Sequence, residues 1–193
     1  MKYPEKLEIG DCIGVTAISL GIDDEKTLLR FENAIKNIEK LGYRVKTTPN
    51  CKTSKNGRSS SSKQRAKEFM ELYKDNDVKA IIFLEGGDFA CELLEELDFE
   101  ELSKLPPKWI QGYSDCTNFT LIFNTILDIA SIYGPNFKGY GMRNVHKSLL
   151  NSLRLMHKDE FVQESYEKCE TLKDSSDDSP YYEYELIAII LFC

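Results

Sequence analysis

The sequence predicts a doubly wound α/β fold, a mostly parallel sheet of flavodoxin or Rossmann type with helices on both faces. Short apolar runs of strand length alternate with longer stretches whose apolar residues recur at helical spacing. That alternation implies parallel strands joined by crossover helices. In the middle of the chain, the apolar run Ile81 to Leu84 stops at Gly86-Gly87 and an aspartate follows. A glycine turn between a buried strand and a helix start is where open α/β sheets hold their ligands.

The elements follow in order. Asp11 to Ala17 reads as a first buried strand, and Asp23 or Asp24 caps a helix carrying Leu28, Phe31, Ile35, Ile38 and Leu41 on one face. Gly42 ends that helix, and Tyr43 to Thr47 is the next strand. A polar, serine-rich loop covers Asn50 to Ser60. Ser61 and Gln64 then match a capping box before Ala66, Phe69, Met70 and Tyr73. Val78 to Leu84 is the third strand and Asp88 to Leu97 the third helix. After Pro106-Pro107 come a strand at Trp109 to Tyr113, a helix capped by Asp115 and running to about Ile129, a strand at Ser131 to Tyr133, and a helix from Val145 to Met156. We therefore expect an α/β domain over 1–156. Residues 157–193 read as a linker, rich in serine and aspartate from Lys173 to Pro180, and the incomplete start of a second domain.

Composition excludes several functions. The chain has 193 residues, of which 41% are apolar and 30% charged, with a formal net charge of −7. Such a balance suits a soluble globular protein and argues against a nucleic-acid or anionic-membrane surface. No stretch approaches the ~20 apolar residues of a membrane span, and the N-terminus has no apolar run of signal length. The six cysteines are widely and irregularly spaced, so neither a zinc site nor another metal or cofactor is expected, and reduced thiols in a cytoplasm fit best.

The phrases "GDCIGVTA", "IEKLGYRV", "VKAIIFLEGGDFACELLEELDFE", "PKWIQGYSD" and "IYGPNF" occur in this order. Together they resemble the N-terminal domain of the LD-carboxypeptidase family, which includes the microcin-immunity peptidases. The resemblance implies a metal-independent serine peptidase that cuts an amide beside a D-configured or unusual residue, typically in a murein peptide. It implies a serine on the Gly-Gly turn, in a Gly-Gly-x-x-Ser pattern, with a glutamate and a histidine from a C-terminal domain. On this chain the serine position falls on Ala90, which has no nucleophilic atom, and the base would lie beyond Cys193. The resemblance thus points to a catalytically inactive relative.

Other residues around the turn have competing readings. Cys91 is a substitute nucleophile only if its side chain points where the serine would, but one step along a helix rotates it by about 100°, so an inert, buried or half-buried thiol is expected. Gly86, Gly87, Asp88 and Phe89 would line a substrate site, Asp88 most simply as a helix cap and Phe89 as a cover or a packing residue. Ser114 and Asp115 read as organisers of the site wall. Glu85 reads as an exposed carboxylate, and His146 and His157 as structural residues at helix ends.

Two functions remain open: an LD-carboxypeptidase-like protein that is shortened or degenerate, and a binding module for a muropeptide or an aminoacyl-nucleotide. A generic flavodoxin-like domain is the more distant alternative. The expected partner is a small peptide or murein fragment. The apolar terminus Leu186 to Phe192 also suggests self-association, as a homodimer or an aggregate.

Overall fold

The computed structural model describes residues 1–157, 165–170 and 179–188. Strands β1 (Cys12–Thr16), β2 (Arg44–Thr47), β3 (Val78–Phe83), β4 (Trp109–Gly112) and β5 (Ile132–Tyr133) form one sheet in the order β2-β1-β3-β4-β5. Every pairing in it is parallel. The doubly wound α/β fold is thus present, in the 2-1-3-4-5 order of flavodoxin-like sheets, whose ligands bind beyond the carboxyl ends of the strands where the winding reverses.

The central strands are buried on both faces, which accounts for their unbroken apolar runs. Ile13, Val15, Ala80, Ile82 and Leu84 pack on one face, with Phe31 and Ile38 of helix α1 (Glu25–Lys40) and with Leu149 and Leu153 of a late helix. Ile81, Phe83 and Ile110 face the other way, onto Phe69 and Leu72 of α2 (Ser62–Lys74). A short α3 (Phe99–Lys104) and then α4 (Thr117–Thr125) follow, and Phe119 and Phe123 of α4 stack edge-on against Phe69. The late helix is α5 (Lys147–Met156).

Local chemistry sets the ends. Asp24, not Asp23, caps α1 by accepting the Thr27 N–H at 2.8 Å. Ser61 caps α2 as expected, but Gln64 turns away from the cap to Glu68, so half of the capping box forms. The helix expected over 88–97 is instead a 3-10 turn, Ala90–Glu95, after which Asp98 caps α3. The fourth helix stops at Thr125, short of Ile129. Asn33 and Asn37 of α1 donate to the carbonyls of Tyr140, Gly141 and Met142, which pins the segment after β5 to the helical layer.

After α5 the described chain forms a separate antiparallel pair, β6 (Lys168–Glu170) with β7 (Leu186–Ala188). Arg30 receives the incoming segment by donating to the carbonyls of Pro180 and Tyr182 and lying 3.7 Å from the Tyr182 ring centroid. Ile187 is half exposed, so at that position the apolar terminus is not a core strand. Residues 171–178 of the expected linker, and 189–193, lie outside the described residues.

Candidate functional site

The turns that leave the carboxyl ends of β1, β3, β4 and β5 converge. Gly87 has φ +143°, and a Cβ there would also collide with the Ser19 side chain, so glycine is required twice over. Leu20 N–H donates to Gly86 O at 3.2 Å and Phe89 N–H to Ser19 Oγ at 3.0 Å, tying this turn to the one after β1. Arg65, fully buried, donates to Ile18 O at 2.6 Å and Phe89 O at 2.9 Å and pairs with Glu92. Arg58 grips the same carboxylate and lies 3.4 Å from the Phe89 ring centroid. Both arginines hold the Glu92 carboxyl below its ordinary range, Arg58 most.

Ser114 follows β4 with Tyr113 between them, and is exposed, with φ +61°. The other non-glycine residues with positive φ among the described ones are Asn56 and Asp128, types that tolerate the left-handed region. Serine does not, and a residue held there carries strain of about 1–2 kcal/mol. The strain comes with a purpose of place: a Cβ on Gly86 would lie 3.2 Å from Ser114 Cβ and 3.4 Å from its Oγ. The two turns meet at that point, and the glycine on the β3 side leaves the hydroxyl more room than a larger residue would.

Asp115 is not a plain helix cap. Its carboxylate accepts the Ala90 N–H at 2.8 Å and the Asn118 side chain at 3.0 Å, and α4 starts two residues later, at Thr117. On the far side, Asn136 accepts the Tyr113 N–H at 3.0 Å, and Cys116 donates to Glu85 O. A cleft of about 400 Å³ opens beside the serine turn, lined by Arg30, Glu85, Tyr113, Lys138, Tyr182 and Tyr184 among others. Glu85 is half-buried and ion-paired with Lys138, so it is not the free surface carboxylate the sequence suggested. Burial raises the Tyr113 and Tyr184 phenols above their ordinary value.

Several sequence expectations change here. Ala90 is fully buried in the apolar cluster on the α2 face. A side chain there points into the core, so residue 90 cannot present a nucleophile whatever its identity. Cys91 is exposed rather than buried, but it borders a shallow cleft with Arg58, Glu95 and Glu96 and does not line the cleft beside Ser114. Asp88 is exposed and caps nothing, because Phe89 stands at the cap position of the 3-10 turn. Phe89 lies under Arg58 and packs. Gly86, Ser114 and Asp115 do come together. The signal that marks Ser114 in the sequence is its place, just after a strand in Gly-x-Ser, the first half of the Gly-x-Ser-x-Gly elbow pattern, whose last glycine position holds Cys116 here.

Both histidines are engaged elsewhere. His146 caps α5 with Nδ1 toward Ser148, its ring against Tyr184, and His157 meets the Tyr43 hydroxyl. Among the described residues no group of three or more His, Cys, Asp or Glu is placed to hold a metal ion, and no helix is long and apolar enough to cross a membrane.

Comparison with known proteins agrees with this geometry. YocD of Bacillus subtilis, named as a carboxypeptidase, is 31% identical over 143 residues, 73% of this chain and 43% of its own length. The microcin self-immunity protein MccF of Escherichia coli is 30% identical over 129 residues, 67% of this chain and 37% of its own. A solved structure of MccF in complex with aspartyl sulfamoyl adenosine superposes with TM-score 0.84 at 22% identity, covering 96% of this chain and 57% of that one. A muramoyltetrapeptide carboxypeptidase from Oxalobacter formigenes superposes with TM-score 0.62 at 24% identity, over 74% and 46%. The chain thus spans less than half the length of the curated relatives it matches. Residues 13–134, the strands and turns that bring Gly86 to Ser114, match the model of the LD-carboxypeptidase N-terminal domain, and the chain belongs to the LD-carboxypeptidase family.

Proposed function

We propose that this chain carries the nucleophile half of an LD-carboxypeptidase-type amide hydrolase, with Ser114 as the nucleophile position in place of the turn residue at 90. The observation that carries the reading is Ser114 itself: exposed, held at φ +61° between a strand and a helix, and facing Gly86. A strained strand-to-helix turn holds a hydroxyl out of the sheet, clear of its own backbone. The N–H of the following residue, Asp115, and those of Gly86 and Gly87 are the candidate donors for an oxyanion. The Ala90 N–H is already committed to Asp115 and is not one of them. One structure of MccF replaces an active-site serine, together with an asparagine and a lysine, by alanine, which is consistent with serine chemistry in that protein.

Among the described residues neither histidine is free to serve the serine as a base, since both are held by other partners. A serine hydroxyl without an adjacent base is a poor nucleophile at neutral pH. We therefore expect the chain by itself to bind a short peptide in the Tyr113–Tyr182–Tyr184 cleft without turning it over. The separate β6–β7 pair supports reading 157–193 as the start of a second unit. A murein tetrapeptide is the preferred substrate class, and an aminoacyl-nucleotide the alternative.

Hydrolysis of a murein tetrapeptide, read by mass spectrometry, tests the reading. The chain should show no turnover, and Ala90→Ser should change nothing, because that side chain faces the core. When a fluorophosphonate is used at millimolar concentration, any slow adduct should map to Ser114 and vanish in Ser114→Ala. An adduct at Cys91, or turnover that survives Ser114→Ala, would sink the assignment.

A further inference from the structure

A second cleft, of about 360 Å³, lies at the opposite, amino-terminal end of the sheet, where α2 ends, β3 begins and the chain enters β4. Its floor is apolar, made by Val78, Leu105, Pro106 and Pro107. The two prolines have no N–H to offer, so polar recognition falls to the side chains around them. Two of these have unspent donors. Tyr73 is 1% exposed, and its hydroxyl makes no hydrogen bond of normal geometry, the Lys108 backbone N–H lying near its oxygen without bonding it. Lys108 is 6% exposed and donates to Asp75 O and, at 3.4 Å, to Leu72 O, which leaves one of its three N–H groups unused. A buried donor without an acceptor is costly and rare in native proteins.

The charges around the cleft are nearly balanced. Lys74 pairs with Glu101 at 2.6 Å, Lys79 with Glu5 at 3.5 Å, and the Asp75 carboxylate with Lys46 at 2.6 Å. Lys108 has only carbonyl oxygens as partners. Lys108 and Tyr73 thus line the cleft together above an apolar floor, and the carboxylate that acts on Lys108, Asp75, is shared with Lys46.

We propose that this cleft is a binding site for a small monocarboxylate with an apolar body, its two oxygens taking the Tyr73 hydroxyl and the free Lys108 N–H. A monoanion matches a single cation whose nearby carboxylate is shared with Lys46, and Glu5 on the rim disfavours a dianion. Burial pushes Lys108 down to about 8, against the smaller pull of the Asp75 carboxylate, and Tyr73 up to about 12. The site lies at the far end of the sheet from Ser114 and does not depend on the reading of that serine.

Trp109, the only tryptophan, reports on the cleft, because its Nε1 donates to the carbonyl of Glu5 at 2.8 Å and Glu5 lines the wall. Titration with cyclohexanecarboxylate should give a saturable change in its fluorescence. Neither cyclohexylmethanol nor inorganic phosphate should do so. Tyr73→Phe removes one hydroxyl with no partner, so it should melt no lower than the parent and weaken the carboxylate about tenfold or more; Lys108→Met should remove binding. The proposal fails if no saturable change occurs, if Tyr73→Phe binds as the parent does, or if the alcohol binds equally, which would mean an apolar crevice only. It also fails if phosphate gives the same response, or if Tyr73→Phe is itself destabilised, which would mean the hydroxyl had a partner all along.

Discussion

Asp115 Oδ2 accepts the backbone N–H of Ala90 at 2.8 Å, and this bond ties the turn that follows β3 to the turn that follows β4. With the Cys116 thiol donating to Glu85 O, it joins the Gly-Gly turn to the segment that begins with Ser114. A buried amide that loses a charged acceptor pays its desolvation in full, about 1–3 kcal/mol. Asp115→Ala should lower stability by that amount in urea titration and speed hydrogen exchange of the Ala90 amide. An Ala90 amide that stays protected in the variant would show that the bond does not hold the turn.

Relief of the strain at Ser114 is measurable. At φ +61° a glycine loses the steric conflict but gains freedom in the unfolded chain, so Ser114→Gly should raise stability by up to about 1 kcal/mol. Ser114→Val, β-branched at the same φ, should lower it by more than 1 kcal/mol. The urea midpoints of the two variants should therefore move in opposite directions. Movement in the same direction would mean that the backbone at 114 is not strained.

The thiols should divide by burial. Cys91 and Cys169 are exposed, whereas Cys12, Cys51 and Cys116 are buried. Desolvation raises all three buried thiols, Cys51 to about 12. Iodoacetamide at pH 8, mapped by mass spectrometry, should modify Cys91 and Cys169 in the native protein and the other three only after unfolding. Native labelling of Cys51 would contradict the packing of β1 against the 49–52 segment.

Lys108 should leave a signature in stability against pH. Burial lowers it to about 8 in the folded protein, while an unfolded lysine titrates near 10.4. Between these values the unfolded chain binds the extra proton, so this residue's contribution to stability rises with pH from about 8 to 10 and its penalty is fully present below 8. The gain across the window is on the order of 3 kcal/mol at most. Lys108→Met should lack it, and subtracting the two curves removes the effects of the cysteines and tyrosines that titrate nearby. A flat difference curve would mean that the amine stays charged in the fold.

The fold was legible because β1, β3 and β4 are buried on both faces and so appear as continuous apolar runs, with helical periods between them. The segment from Ala90 to Glu95 was less so. Its leucines have helical spacing, yet the Ala90 amide goes to Asp115, a residue 25 positions away, and the Asp98 cap begins a new helix. A bond of that range leaves no local trace. The site was half legible: Gly86 and Gly87 mark the turn, but the proposed nucleophile position belongs to a left-handed serine in the turn after the neighbouring strand. Sequence signals for that conformation are glycine, asparagine and aspartate, and Ser114 is none of these. The Glu85–Lys138 pair, 53 residues apart, was likewise out of reach of any local pattern.

β3 begins at Val78, in the wall of the Tyr73–Lys108 cleft, and ends at Phe83, three residues before Gly86. Six residues at about 3.3 Å each make it a rod of about 20 Å. Through solvent that span is about two screening lengths, so the charge of an occupant at one end is scarcely felt at the other. A sliding of the rod could carry a message, but its ladder with β1 has its one irregularity at Cys12/Ile13, toward the cleft, while Ile13 to Thr16 run in unbroken register up to the turns that hold Gly86 and Ser114. The slack is all at one end. A push from the cleft would be absorbed there, which leaves each end of the molecule free to drift in sequence without disturbing the alignment of the other.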